Sequence, residues 1–155
     1  MDVYIILGAI MVRSLETRVS LMKILFVCSG NIYRSPVAEA LLKKLKPEIA
    51  VDSAGIRPPP MFPISEDAKK YLAEENAKQY LKKVPEGLDR KDLSKYDLII
   101  TMEAEHREIV LSKCPECKDK TVVWNIEDPY SLPPAYTEEI FEQIKKKVAE
   151  LANSL

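Results

Sequence analysis

Lys23-Ile24-Leu25-Phe26-Val27-Cys28-Ser29-Gly30-Asn31-Ile32-Tyr33-Arg34-Ser35-Pro36 is the stretch on which the fold turns. Lys23–Cys28 is a short, nearly continuous apolar run, as expected of a strand buried on both faces. A helical pattern then opens at once. Ser35 stands at its expected cap, Pro36 in its first turn, and Ala38, Leu41, Leu42 and Leu45 lie on one side. Pro47 ends it.

The same alternation continues along the chain. Ile49–Ser53 reads as a second strand that ends at Ala54-Gly55, and Pro58, Pro59, Pro60 and Pro63 make the next segment an extended loop. Ser65 caps a further helix with Glu66 and Asp67 in its first turn, where the helix dipole favours acids. Its apolar face includes Ala68, Tyr71, Leu72 and Ala77, and the pattern extends through Tyr80, Leu81 and Val84 to a break at Pro85-Glu86-Gly87. Asp97–Met102 predicts a third strand, Glu103–Lys113 a helix, and Thr121–Ile126 a fourth strand with Trp124 in the core. Thr137 caps a last helix that turns Ile140, Phe141, Ile144, Val148 and Leu151 inward. The expected fold is therefore α/β: three layers, a four-stranded parallel sheet with right-handed crossovers and helices on both faces. Ligands bind such sheets at the carboxyl ends of the strands. The loops after Val27, Asp52, Met102 and Ile126 should share that edge.

A chain of 155 residues, 46% hydrophobic and 30% charged, is expected to build one core in a single domain over residues 22–155. Residues 1–21 read as an extension outside it, dispensable for the core strand, with Met22 as an alternative start. Val3–Val12 is apolar but shorter than the about 20 residues that span a bilayer, and the start Met1-Asp2 lacks the basic residues of a secretory signal. A net charge of −1 argues against nucleic acid or an anionic membrane as partner. Three cysteines, Cys28, Cys114 and Cys117, are too few for a disulfide framework. They read as free thiols in a reducing compartment, which implies a soluble cytoplasmic protein.

The loop from Cys28 to Arg34 carries the chemistry. A short loop that enters a helix N-terminus turns its N–H groups inward and makes an anion cradle. Gly30 permits a tight backbone, and Asn31 tolerates a left-handed one. Arg34 offers a planar fork to two phosphate oxygens. The same positive surroundings favour a thiolate nucleophile.

This run resembles the phosphate loop of the low-molecular-weight protein tyrosine phosphatases, Cys-x-Gly-Asn-x-Cys-Arg-Ser-Pro. Tyr33 is the one departure, standing where the family has a second cysteine. Val51-Asp52-Ser53-Ala54-Gly55 is similar to the family's second-strand segment, and Asp128-Pro129-Tyr130 to its general-acid loop. The resemblance runs from about Met22 to the C-terminus and is loose over residues 56–96. It implies phosphotyrosine hydrolysis on a protein substrate, with phosphate or another oxyanion held in the loop and with neither cofactor nor metal. Cys28 would attack phosphorus and form a phosphocysteine, Arg34 and the N–H groups of Ser29, Gly30, Ile32 and Tyr33 would hold the oxygens, and Asp128 would protonate the leaving oxygen. Glu127 is the rival acid. Asn31, Ser35 and Ser53 match positions that hold the loop and thiolate, and Tyr130 matches the aromatic wall.

Other residues leave alternatives open. Met61 or Phe62 would face Tyr130 across the site or pack within the loop. Arg57 reads as a solvated charge and His106, among Glu103, Glu105, Arg107 and Glu108, as exposed. Cys114-Pro115-Glu116-Cys117 is half a zinc site. Thiol-coupled arsenate reductases share the fold, but their relay needs a cysteine just after Met102, where Glu103 stands, and a helix carries Cys114 away. Phosphoarginine phosphatases have Thr where this chain has Ile32. A non-catalytic phosphoprotein-binding module would be expected to lose Cys28 or Asp128.

Overall fold

The computed structural model describes residues 22–155. Residues 1–21, and with them the expected N-terminal extension, lie outside the described residues. The strands are β1 (Lys23–Cys28), β2 (Ala50–Gly55), β3 (Leu98–Thr101) and β4 (Thr121–Val123); the helices are α1 (Arg34–Leu45), α2 (Glu66–Glu74), α3 (Ala104–Lys113) and α4 (Thr137–Ser154). Short 3₁₀ turns fill several connections.

The four strands form a parallel sheet in the order β2-β1-β3-β4. β1 has neighbours on both sides, which explains why Ile24 through Val27 are fully buried and why its sequence is apolar on both faces. Its alternate residues feed two cores. Ile24, Phe26 and Cys28 meet Val37, Ala38, Leu42, Leu72, Phe141 and Ile144 on one face; Leu25 and Val27 meet Ile99, Val110, Leu93 and Tyr96 on the other. Helices therefore cover both faces, as the alternation implied.

Register fixes the site. Val27 lies opposite Ala54 on one side and Thr101 on the other, and Thr101 lies opposite Val123. All four carboxyl ends thus meet at one edge. The chain leaves β1 for β2 on one side and later returns to β3 on the other, so the loop after Cys28 sits where the strand order reverses.

Several helix and strand ends differ from their expected positions. α1 begins at Arg34 with no side-chain cap, so Ser35 lies inside the first turn and is not its cap. Ser65 caps α2 as expected, accepting from the N–H groups of Asp67 and Ala68. But α2 stops at Glu74 and does not reach Val84. Asn76 takes a left-handed conformation (φ 56°), and the Ala77 N–H returns to the Leu72 carbonyl, a helix stop that needs no proline. α4 begins at Thr137 without a side-chain cap. β4 ends at Val123; Trp124 is half-buried and its ring stacks at a tilt on Phe26. Cys114 and Cys117 are disulfide-bonded in the second core, which overturns the reading of three free thiols. Cys28 is free. No helix among the described residues is long and apolar enough to cross a membrane.

Candidate active site

Gly55 explains how the loop after β1 can lie so low over the sheet edge. A Cβ at Gly55 would stand 2.7 Å from the Gly30 carbonyl carbon and 2.8 Å from the Asn31 nitrogen. The loop crosses directly over this bare position, and the Ile56 and Arg57 N–H groups donate to the Cys28 and Ser29 carbonyls. The left-handed residue is Asn31 (φ 59°), which turns the chain towards α1. Because α1 has no side-chain cap, the N–H groups of its first turn have no side-chain acceptor, the condition under which a helix N-terminus receives an anion.

Cys28 is buried at the floor of a cleft of about 620 Å³. Its Sγ accepts from the Asn31 N–H at 3.3 Å and lies 2.9 Å from Ser35 Oγ. Asn31 Nδ2 donates to that same Ser35 oxygen at 2.8 Å and to Ser53 Oγ at 2.9 Å. Ser53 in turn donates to the buried carboxylate of Glu39. With a donor coming in from Asn31, Ser35 keeps its own proton free to donate to a thiolate sulfur. Asn31 within the loop, and Ser35 and Ser53 behind it, are fully buried, so they brace the loop and do not line the cleft. Lys82, nearly buried, donates to the Ser53 carbonyl at 2.9 Å and pairs with Glu86, whose N–H donates to Asn31 Oδ1.

Arg34 is the largest fully buried side chain. Its Nη1 donates to Glu103 Oε2 at 2.6 Å and to the Ile126 carbonyl at 2.7 Å. Its Nη2 donates to Ser29 Oγ at 3.2 Å and lies 3.4 Å from Asp128 Oδ2. Asp128 accepts from the Tyr130 N–H, a contact that starts the 3₁₀ turn Pro129–Ser131 and holds the carboxylate over the loop. Asp128 lines the cleft; Glu127 is exposed and does not. Ser29, Gly30, Ile32 and Tyr33 line it from the loop, with Phe62 and Tyr130 as largely exposed aromatic walls. Met61 is fully exposed outside it, and Arg57 pairs with Glu105 at 2.9 Å at its rim.

His106 contradicts its expected exposure. It is fully buried. Its Nδ1 accepts from the Glu103 N–H at 3.1 Å, and its Nε2 lies 3.0 Å from Ser29 Oγ. Burial, helped by the charge of Arg34, pushes its pKa down to about 4, so the ring is neutral at ordinary pH. Glu103 and His106, which the motif does not reveal, contact Arg34 and Ser29 behind the cleft. The signal was present: both follow β3, whose carboxyl end had been assigned to the active edge. Glu39 and Lys82 were missed too, and nothing in their local sequence marks them.

Comparison with known proteins gives the family. Residues 23–155 match the family model described as low molecular weight phosphotyrosine protein phosphatase. The low molecular weight protein-tyrosine-phosphatase Etp of Escherichia coli K12 is 32% identical over 144 residues, covering 85% of this chain and 93% of Etp. Vibrio vulnificus Wzb in complex with benzylphosphonate superposes with a TM-score of 0.76 at 30% identity, covering 87% of this chain and 99% of Wzb. The YwlE arginine phosphatase from Geobacillus stearothermophilus superposes at 0.74 and 27% identity, covering 86% and 92%. A match that starts with the strand beneath Cys28 and ends with the last helix makes this chain a member of the low molecular weight phosphotyrosine protein phosphatases, a family of hydrolases.

Proposed function

We propose that this chain hydrolyses aryl phosphate monoesters, above all phosphotyrosine in proteins, through a phosphocysteine on Cys28. The observation that carries this is the convergence of three groups on one cleft: the Cys28 thiol at its floor, Arg34 beside it, and Asp128 above. The thiolate sulfur attacks phosphorus as the bond to the leaving oxygen breaks. Asp128 acts as general acid and gives a proton to that oxygen. Arg34 and the N–H groups of the loop hold the equatorial oxygens as charge moves onto them. Water then attacks the phosphocysteine, Asp128 takes its proton, and phosphate leaves with the thiolate restored. Ser35 and the Asn31 N–H support the sulfur as an anion.

Phosphoarginine is the second reading, and solved arginine phosphatases of the same fold speak for it. Ile32 and the aromatic walls Phe62 and Tyr130 speak for a flat apolar ring instead. Arsenate reduction lacks a relay thiol: Glu103 occupies the place it needs and binds Arg34, while Cys114 lies at the far end of α3, bonded to Cys117. The test compares wild type and Cys28→Ser on p-nitrophenyl phosphate, a phosphotyrosine peptide and a phosphoarginine peptide. We expect turnover of the first two by wild type only. Preference for phosphoarginine would move the assignment to the second reading.

A further inference from the structure

The arrangement around Ser29 carries more than the motif assigns to it. His106 Nδ1 accepts from a backbone N–H, so that nitrogen is bare. A neutral ring then carries its proton on Nε2 and donates to Ser29 Oγ, 3.0 Å away. Arg34 Nη2 donates to the same oxygen at 3.2 Å. Two incoming donors fill the hydroxyl's lone pairs, and among the described residues no other contact engages it. The Ser29 proton is thus left to donate, in a residue that lines the cleft beside Cys28 and Arg34.

We propose that His106 is a positioning residue: its Nε2–H holds Ser29 so that the hydroxyl proton faces the phosphoryl oxygens in the loop, adding a side-chain donor to the backbone cradle. This rests on the phosphatase reading of the cleft. It also links the start of α3 to the oxyanion site twice, once through Glu103 on Arg34 and once through His106 on Ser29.

Two substitutions separate this role from helix support. His106→Asn keeps an acceptor near the Nδ1 position for the Glu103 N–H but cannot reach Ser29. His106→Gln reaches Ser29 with an N–H donor and gives up the acceptor near Nδ1. The readouts are p-nitrophenyl phosphate kinetics, competitive inhibition by inorganic phosphate, and the thermal midpoint. His106→Asn should weaken phosphate inhibition about tenfold with little change in midpoint, as loss of one hydrogen bond to a charged group requires. His106→Gln should recover most of that affinity with a lower midpoint. Ser29→Ala should weaken phosphate about as much as His106→Asn, and combining the two should add less than about twofold, because they act on one contact. If His106→Asn does not fold, Ser29→Ala against Ser29→Thr decides, since Thr keeps the hydroxyl and should restore inhibition. Phosphate inhibition that ignores both His106→Asn and Ser29→Ala, or that follows the midpoint alone, overturns the proposal. Wild-type protein that does not hydrolyse p-nitrophenyl phosphate overturns the phosphatase reading, and this proposal with it.

Discussion

The two sides of the phosphate loop are built from different materials. On the thiol side, Cys28, Ser35, Asn31 and Ser53 form a buried line of hydrogen bonds between uncharged groups, which ends on the charges of Glu39 and Lys82 at Ser53. On the guanidinium side, Arg34 faces two carboxylates, a carbonyl and a hydroxyl, all but the last supplied by segments after β3 and β4. The contrast follows from what each side must do. In the proposed mechanism, the neutral donors next to the sulfur would stabilise a thiolate without placing a second charge against it. A buried guanidinium needs counter-charge and full hydrogen bonding to stay where phosphate will meet it. The thiol side is therefore largely local in sequence, and the guanidinium side is tertiary.

The sharpest way to separate the two sides is Asp128→Asn. It should lower turnover of phenyl phosphate, a poor leaving group, by about 10²–10⁴-fold, and that of p-nitrophenyl phosphate much less. Alkylation of Cys28 by iodoacetate should persist and remain protected by phosphate, because Asp128 does not touch the sulfur. Loss of alkylation, or a leaving-group effect on Glu127→Gln in its place, would show the division to be wrong.

Titration offers a second test, since His106 is the only histidine. Its folded pKa of about 4 lies below the ordinary value of 6.5. Between these values the unfolded chain takes up a proton that the folded chain refuses. Its neutral burial thus leaves stability intact above pH 6.5, and stability falls as the pH drops towards 4. The slope should approach about 1.4 kcal/mol per pH unit and total about 3 kcal/mol. Urea unfolding between pH 6.5 and 5, where carboxylates contribute little, should show this slope in wild type and a flat line in His106→Gln. Equal slopes would place the ring in contact with water.

Gly55 lies beneath the point where the two sides meet. Gly55→Ala would press a methyl group on the backbone of Gly30 and Asn31, at a cost of about 1–3 kcal/mol, and should weaken phosphate inhibition as well as stability. Wild-type phosphate affinity in this variant would mean that the loop shifts freely over the sheet.

What could be read in the sequence follows the same division. β1 matches its expected span, and the gathering of Cys28, Asn31, Arg34 and Ser35 in one loop and helix start was legible because strand, loop and helix are contiguous. The position of Asp128 at the cleft was legible through a dipeptide after the fourth strand. His106 was not. Charged neighbours on both sides gave α3 the pattern of a solvated helix, whereas the ring is held inside by the Glu103 N–H and by Ser29, 77 positions away in sequence. The overlong reading of α2 had another cause: the apolar pattern does continue, but Asn76 supplies a left-handed stop ahead of the proline. The pairing of Cys114 with Cys117 turns on how the chain folds back after α3, which spacing alone left open.

The central claim is that phosphorus passes through the Cys28 sulfur. Asp128→Ala should slow release of the intermediate, so mixing that variant with p-nitrophenyl phosphate and quenching should leave one phosphoryl group on the peptide that contains Cys28. The same treatment of Cys28→Ser in the Asp128→Ala background should leave no phosphocysteine. A burst of p-nitrophenolate with no phosphoryl group on the Cys28 peptide, or with the group on another residue, would contradict the account.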